Sequence, residues 1–237
     1  MPVLALDTSA AVAVSLTDDD GALLAGRSDP QQRHHAELLT PMIAAVLADA
    51  GVDRRELTSV VVGTGPAPFT GLRVGLVTAR TLALALGIPA RGVPSLDAIA
   101  AAASRRLPAG TDVIVATDAR RREVYWSSYR LVGPGRIQVL VPPSVGAAAD
   151  VRLGGALVVG RGGTLYADVF APPVDGPVVA PVGAVAIVPS LDELLDPDPA
   201  ELARLSLQRS DEVLDTEPLY LRRPDAVPPA ERKRALG

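Results

Sequence analysis

The residues with most chemical potential lie between Val60 and Pro89, where an apolar run breaks into the loop Thr64-Gly65-Pro66-Ala67-Pro68 and resumes as a long apolar helix. A short loop closing onto a helix start gathers free backbone N–H groups and the positive helix end at one spot, the geometry of an anion site. It is not a P-loop, which needs a lysine to reach the terminal phosphates; the single lysine of this chain is Lys233. The absence of cysteine removes thiolate nucleophiles, disulfides, Fe–S clusters and cysteine-ligated zinc. The only histidines, His34 and His35, are neighbours and cannot form the i, i+4 pair that offers two imidazoles to one metal. Asp18, Asp19 and Asp20, followed by Gly21 between two apolar runs, read as a hairpin turn rather than a cation site.

The elements that must position these groups follow from periodicity. Val3–Leu6, Ala11–Leu16 and Ala22–Gly26 predict three antiparallel strands, with Asp7-Thr8-Ser9 as the first bend. His35–Ala50 carries Leu38, Leu39, Met42, Ile43, Val46 and Leu47 at helical spacing, with Pro41 inside a kinked helix. After a strand at Ser59–Val62, a helix from about Gly71 to Leu86 is apolar on all sides, interrupted mainly by Arg73, Thr78, Arg80 and Thr81. Its row Gly71, Gly75, Ala79, Ala83 would admit a close helix neighbour, either within the chain or from another subunit. A strand at Ile88–Val93 leads to an alanine-rich helix, Leu96–Arg106, capped by Ser95. Beyond a junction at Leu107–Asp112 the pattern restarts: a strand at Val113–Thr117, a charged turn, and a strand at Glu123–Leu131. Further on come a strand at Ala156–Val159, a turn at Gly160–Gly163, a helix near Pro199–Arg209, and a polar tail from Asp215 that reads as extended or disordered after Arg223.

With 237 residues, 48% of them apolar, the chain can build one large or two modest domains. A net charge of −4 disfavours a stand-alone nucleic-acid binder. The opening MPVLALDTS starts as a strand without an export or membrane signal, so a cytoplasmic location is expected.

A strand-strand-strand-helix-strand-helix lobe followed by a second lobe opening on a hairpin resembles the duplicated α/β plan of the actin, Hsp70 and sugar-kinase superfamily, with two ribonuclease-H-like lobes. More specifically the chain resembles the bacterial TsaB (YeaZ) family through LALDTS at Leu4–Ser9, HAELLTPMI at His35–Ile43, GPAPFTGLRVG at Gly65–Gly75, GIPARGVPSLDA at Gly87–Ala98, DARRREVYW at Asp118–Trp126 and EPLYLR at Glu217–Arg222. One departure is Ala67-Pro68 in place of the family's usual Gly-Ser, which removes an N–H donor and a hydroxyl from the loop. The expected division is an N-terminal lobe at 1–106, a C-terminal lobe at 112–209 and a tail at 210–237.

The resemblance implies a non-catalytic partner in making threonylcarbamoyladenosine beside the anticodon of ANN-decoding tRNAs, one that binds and activates the TsaD transferase, with a TsaE-like ATPase in the same system. TsaD-like proteins bind metal through H-x-x-x-H; here His35 is followed four residues on by Leu39, so no metal is expected. The candidate partner surface comprises Leu38, Leu39, Met42, Ile43, Val46, Gly71, Leu72, Gly75, Ala79 and Ala83, with a self-dimer through the same surface when the partner is absent. No resident cofactor is implied, and a nucleotide held at a subunit interface stays open. The alternative is an ATPase or phosphotransferase with Asp7 as base and Thr8 and Ser9 at a magnesium-bound phosphate. A peptidase, suggested by the glycoprotease label of the wider family, has no nucleophile or metal constellation. Arg120, Arg121 and Arg122, and the tail arginines with Lys233, are weighed as RNA contacts against solvated positions.

Overall fold

The computed structural model describes residues 1–30, 35–170 and 194–222. The first sheet has the order β3-β2-β1-β4-β5, built from β1 (Val3–Asp7), β2 (Val12–Thr17), β3 (Leu23–Asp29), β4 (Ser59–Gly63) and β5 (Ala90–Val93). β1 pairs antiparallel with β2 and parallel with β4, so it lies at the centre. Every residue of β1 and β2 is buried, as a strand covered on both faces requires. The faces alternate along the strand. Leu4 and Leu6 meet α1 (His35–Ala50) and α2 (Phe69–Leu86), while Val3 and Ala5 meet α3 (Ser95–Ser104) and α6 (Pro199–Gln208).

The second sheet repeats the plan. Its order β8-β7-β6-β9 is the order of the first four strands of the other sheet, with β6 (Asp112–Asp118) parallel to β9 (Leu157–Val159) and antiparallel to β7 (Glu123–Gly133). The edge strand β8 (Arg136–Ala147) is an addition to the expected elements. The turn expected at Gly160–Gly163 instead opens a short helix, α4 (Arg161–Leu165), followed by α5 (Ala167–Phe170).

α3 explains its own composition. Ala98 and Ala101 face the first lobe's second core, and Leu96, Ile99, Ala100 and Ala103 pack on Val113, Val115 and Tyr129 of the second sheet. Wedged between two lobes, it buries nine of its ten residues, a position that favours methyl side chains. Ser95 does not cap it, because its hydroxyl is turned to Asp7.

The helix assigned by position to the second lobe, α6, covers the first sheet instead. Asp198 caps it by accepting from the Ala200 N–H, Pro199 occupies its first turn, and Leu202, Ala203 and Leu205 seal the β1 face. At its other end the Arg91 guanidinium of β5 donates to the Arg209 carbonyl at 2.6 Å, satisfying an orphan helix carbonyl.

One polar contact joins α3 to the second sheet inside the core. The buried Tyr129 hydroxyl donates to Asp97 Oδ1 at 2.8 Å. Burial pushes the Asp97 carboxyl up to about 6, against the opposing influence of that hydrogen bond and of Arg209. A carboxyl raised by folding binds its proton more tightly in the native state, so its ionisation destabilises the fold as pH rises from about 4 to above 6. Over that interval the wild type should lose roughly 2–3 kcal/mol relative to Asp97→Asn, which cannot ionise. Urea unfolding of both proteins at pH 4 and pH 7 reads the difference, and parallel pH profiles would refute it.

Candidate functional site

The Asp7-Thr8-Ser9 bend lies where β1, the β4–α2 loop and the start of α3 converge. Asp7 Oδ1 accepts from the Ser9 N–H at 2.7 Å and the Ser9 hydroxyl at 2.6 Å. Its Oδ2 accepts from the Ser95 hydroxyl at 2.6 Å, and Ser95 in turn accepts from the Gly65 N–H at 3.1 Å. Burial pushes the Asp7 carboxyl above its ordinary range, the Ser9 and Ser95 hydrogen bonds oppose the rise, and the Asp196 carboxylate adds to it. Gly63 makes room for this carboxylate, since a Cβ there would sit 1.8 Å from Asp7 Oδ2.

Thr8 does something the spacing alone did not reveal. Its hydroxyl donates to the Gly71 carbonyl at 2.8 Å and accepts from the Gly75 N–H at 3.1 Å. Those two groups are the acceptor and donor of one i, i+4 step of the helix, so the hydroxyl bridges both of them on the inner side of α2. Both glycines are required. A Cβ on Gly71 would lie 2.9 Å from the Thr8 carbonyl oxygen, and one on Gly75 would lie 2.5 Å from Thr8 Oγ1.

This corrects the expected partner surface. Leu39, Ile43, Val46, Leu72, Ala79 and Ala83 belong to the first lobe's own core, and Gly75 is buried beneath Thr8. Leu38 and Met42 are half-buried at its rim, and Gly71 is half-buried under the Thr8 carbonyl. The small-residue row thus receives a threonine and the sheet, not a helix of another molecule. Outward on α2 stand Val77, 62% exposed, and Leu84, 83% exposed, which the sequence reading passed over. Their signal was available as apolar positions among Arg73, Arg80 and Thr81, the residues that interrupt the helix. By length and composition α2 could cross a bilayer, yet its inner face is packed on β1 and β4.

A cleft of about 490 Å³ separates the lobes, walled by Ser9, His35, Thr70, Val74, Asp118 and Arg161 among others. Asp7 is not on its wall. Arg161 forms a two-point ion pair with Asp196, and Arg120 pairs with Asp118 at 3.6 Å. Among the described residues no group of three His, Asp or Glu side chains could hold a metal ion.

The second-lobe turn is unusual in its backbone. Arg120, Arg121 and Arg122 have φ of 64°, 56° and 63°, a left-handed run costing roughly 1–2 kcal/mol per residue. Asp118 Oδ1 holds it by accepting from the Arg120 N–H at 2.8 Å. Arg222 holds it from the far side through the Ala119 carbonyl, at 2.8 Å, and the Glu123 carboxylate.

Arg222 ends a segment that the sequence reading took for tail. Leu214 is buried and its carbonyl accepts from the Gly92 N–H, the Leu219 N–H donates to the Thr64 carbonyl, and Arg80 grips Thr216 and Glu217. Tyr220 stacks on Phe69 with ring centroids 4.7 Å apart and accepts from Arg73 Nε at 2.8 Å. Residues 214–222 therefore form a strap from the first lobe to the second. The remaining tail positions Arg223, Arg232, Lys233 and Arg234, like His34, lie outside the described residues.

Two lobes of one strand order around a shared cleft define the actin/Hsp70/sugar-kinase type of two-lobed α/β fold. The family profile described as TsaD, tRNA N6-adenosine threonylcarbamoyltransferase, matches residues 29–152. A Mycobacterium tuberculosis protein is 43% identical over 95% of this chain and 94% of its own length. The Escherichia coli tRNA threonylcarbamoyladenosine biosynthesis protein TsaB is 35% identical over 55% of each chain. YeaZ from Pseudomonas aeruginosa superposes with a TM-score of 0.72 at 28% identity, covering 93% of this chain and 99% of that one. The chain belongs to the TsaB/YeaZ family.

The Thr8 bridge has a quantitative consequence. Gly75→Ala gains about 1 kcal/mol of helix propensity but drives a methyl into Thr8, for a net destabilisation of about 1–3 kcal/mol. In a Thr8→Ala background the same substitution should become neutral or stabilising. Chemical denaturation of the four proteins measures this coupling; additive effects would show that Thr8 does not block the methyl.

Proposed function

We propose that this chain is the non-catalytic partner subunit in the formation of threonylcarbamoyladenosine on tRNA, binding a TsaD-like transferase and holding it in its active form. The biosynthetic role rests on the named TsaB relatives. The partner role rests chiefly on one observation, the bare apolar positions Val77 and Leu84 on the outer side of α2, beside half-buried Val74. Large exposed apolar side chains aligned on one helix face mark interaction surfaces. α1 covers the same sheet face next to α2, with Leu38 and Met42 half-buried against the core.

Absence of catalysis is supported by the engagement of Asp7, Thr8 and Ser9 with one another, with Ser95 and with α2. Leu39, at the position where a TsaD-like protein would carry its second metal-binding histidine, is packed in the core. An ATPase using Asp7 would need that carboxylate at the cleft, where it does not stand. A TsaE-like ATPase and the tRNA enter through the complex, and a self-dimer would use the same α1–α2 surface when the transferase is absent.

Val77→Arg and Leu84→Asp together should weaken co-purification with the transferase at least about 30-fold. The stability of the isolated chain should stay within about 0.5 kcal/mol of wild type, as expected of surface substitutions. Undiminished transferase binding by the double variant would place the docking surface elsewhere.

A further inference from the structure

A second depression, of about 150 Å³, lies between the lobes on the strap side. Phe69 of α2, Tyr125 of β7 and Tyr220 of the strap line it together with Arg120, Arg121 and Arg222. The whole chain has one tryptophan, four tyrosines and two phenylalanines, so three of its few aromatic rings converge on one small groove. Among the described residues no carboxylate lines the groove, although the chain is acidic overall.

Each part is held in place. Arg73 lies over the Phe69 ring at 3.4 Å from its centroid and also donates to the Tyr220 hydroxyl. That arrangement orients Tyr220, which remains 40% exposed. Arg120 and Arg121 line the groove, both exposed and both on left-handed backbone, at φ of 64° and 56°. Glu123 and Asp118, the nearby carboxylates, are paired with Arg222 and Arg120. Rigid aromatic rings interleaved with arginines match the needs of single-stranded nucleic acid, whose bases stack on aromatic faces and whose phosphates pair with guanidinium groups.

We propose that this groove, built by the Arg120–Arg122 turn and the Tyr220 strap, is a direct RNA contact that takes one unpaired nucleotide of the tRNA, its base on Tyr220 and its flanking phosphates on the arginines. The choice of RNA over another polyanion rests on the tRNA reading of the preceding subsection. The groove's composition and geometry stand apart from it.

Fluorescence anisotropy with a labelled transcript of an ANN-decoding tRNA, titrated with the full chain at several salt concentrations, tests the proposal. Arg121→Gln should weaken binding several-fold at 50 mM salt and flatten the plot of log affinity against log salt by about one unit. Tyr220→Leu should lose about tenfold with the salt slope unchanged, while Tyr220→Phe, which keeps the ring, should bind as wild type. Thermal melting of each variant establishes that the strap and turn remain folded, and the Phe variant separates stacking from the Arg73 hydrogen bond. No measurable binding by the wild type, variants that bind as it does, or equal binding of heparin without dependence on the Tyr220 ring would each overturn the proposal. Co-purification with the transferase is read in parallel. A wild-type chain that binds RNA but not the transferase removes the partner reading and leaves the groove standing, whereas transferase binding without RNA binding does the reverse.

Discussion

The structure turns on one hydroxyl. Thr8 Oγ1 hydrogen-bonds both the Gly71 carbonyl and the Gly75 amide of α2, which ties that face of the helix to the end of β1. Successive residues on a helix point about 100° apart, so fixing Gly71 and Gly75 beneath β1 also commits Leu72, Leu76, Ala79 and Ala83 to the core and Val77 and Leu84 to solvent. Asp7 extends the same constraint, tying the bend to Ser95 at the start of α3. Asp7 and Thr8, which could have coordinated a phosphate, are engaged instead with Ser9, Ser95 and α2.

Much of the architecture was legible. The apolar runs of β1 and β2, the stripe of α1 and the restart near Asp112 predicted a duplicated α/β plan, and the strand orders of the two sheets bear it out. β8 escaped notice because Pro142-Pro143 reads as a break; an edge strand tolerates proline where a central one does not. The burial of α6 against the first sheet could not be read from chain order, since packing between elements far apart in sequence leaves no local period. The alanines of α3 were visible without their reason, which is the second lobe on its other side.

The site was legible in its parts and not in its assembly. Four-residue spacing of Gly71, Gly75, Ala79 and Ala83 announces that something comes close to α2, but spacing does not distinguish a neighbouring helix from a threonine. Arg73 and Arg80 appeared only as interruptions of an apolar helix. Their partners Tyr220 and Thr216 lie far along the chain, in a segment whose polarity and prolines look like a tail. The strap became recognisable only through its long-range hydrogen bonds and through Gly92, where any Cβ would collide with the Asp215 carbonyl.

The most direct test is the rate of threonylcarbamoyladenosine formation per assembled complex, measured with the TsaD-like transferase and either wild-type chain or Asp7→Asn. Asparagine keeps the shape of the bend and lacks the carboxylate charge. If Asp7 only organises the fold, turnover per complex is unchanged once the amount of bound chain is accounted for. A folded, transferase-bound Asp7→Asn chain that leaves the complex inactive would contradict the account and return this residue to chemistry.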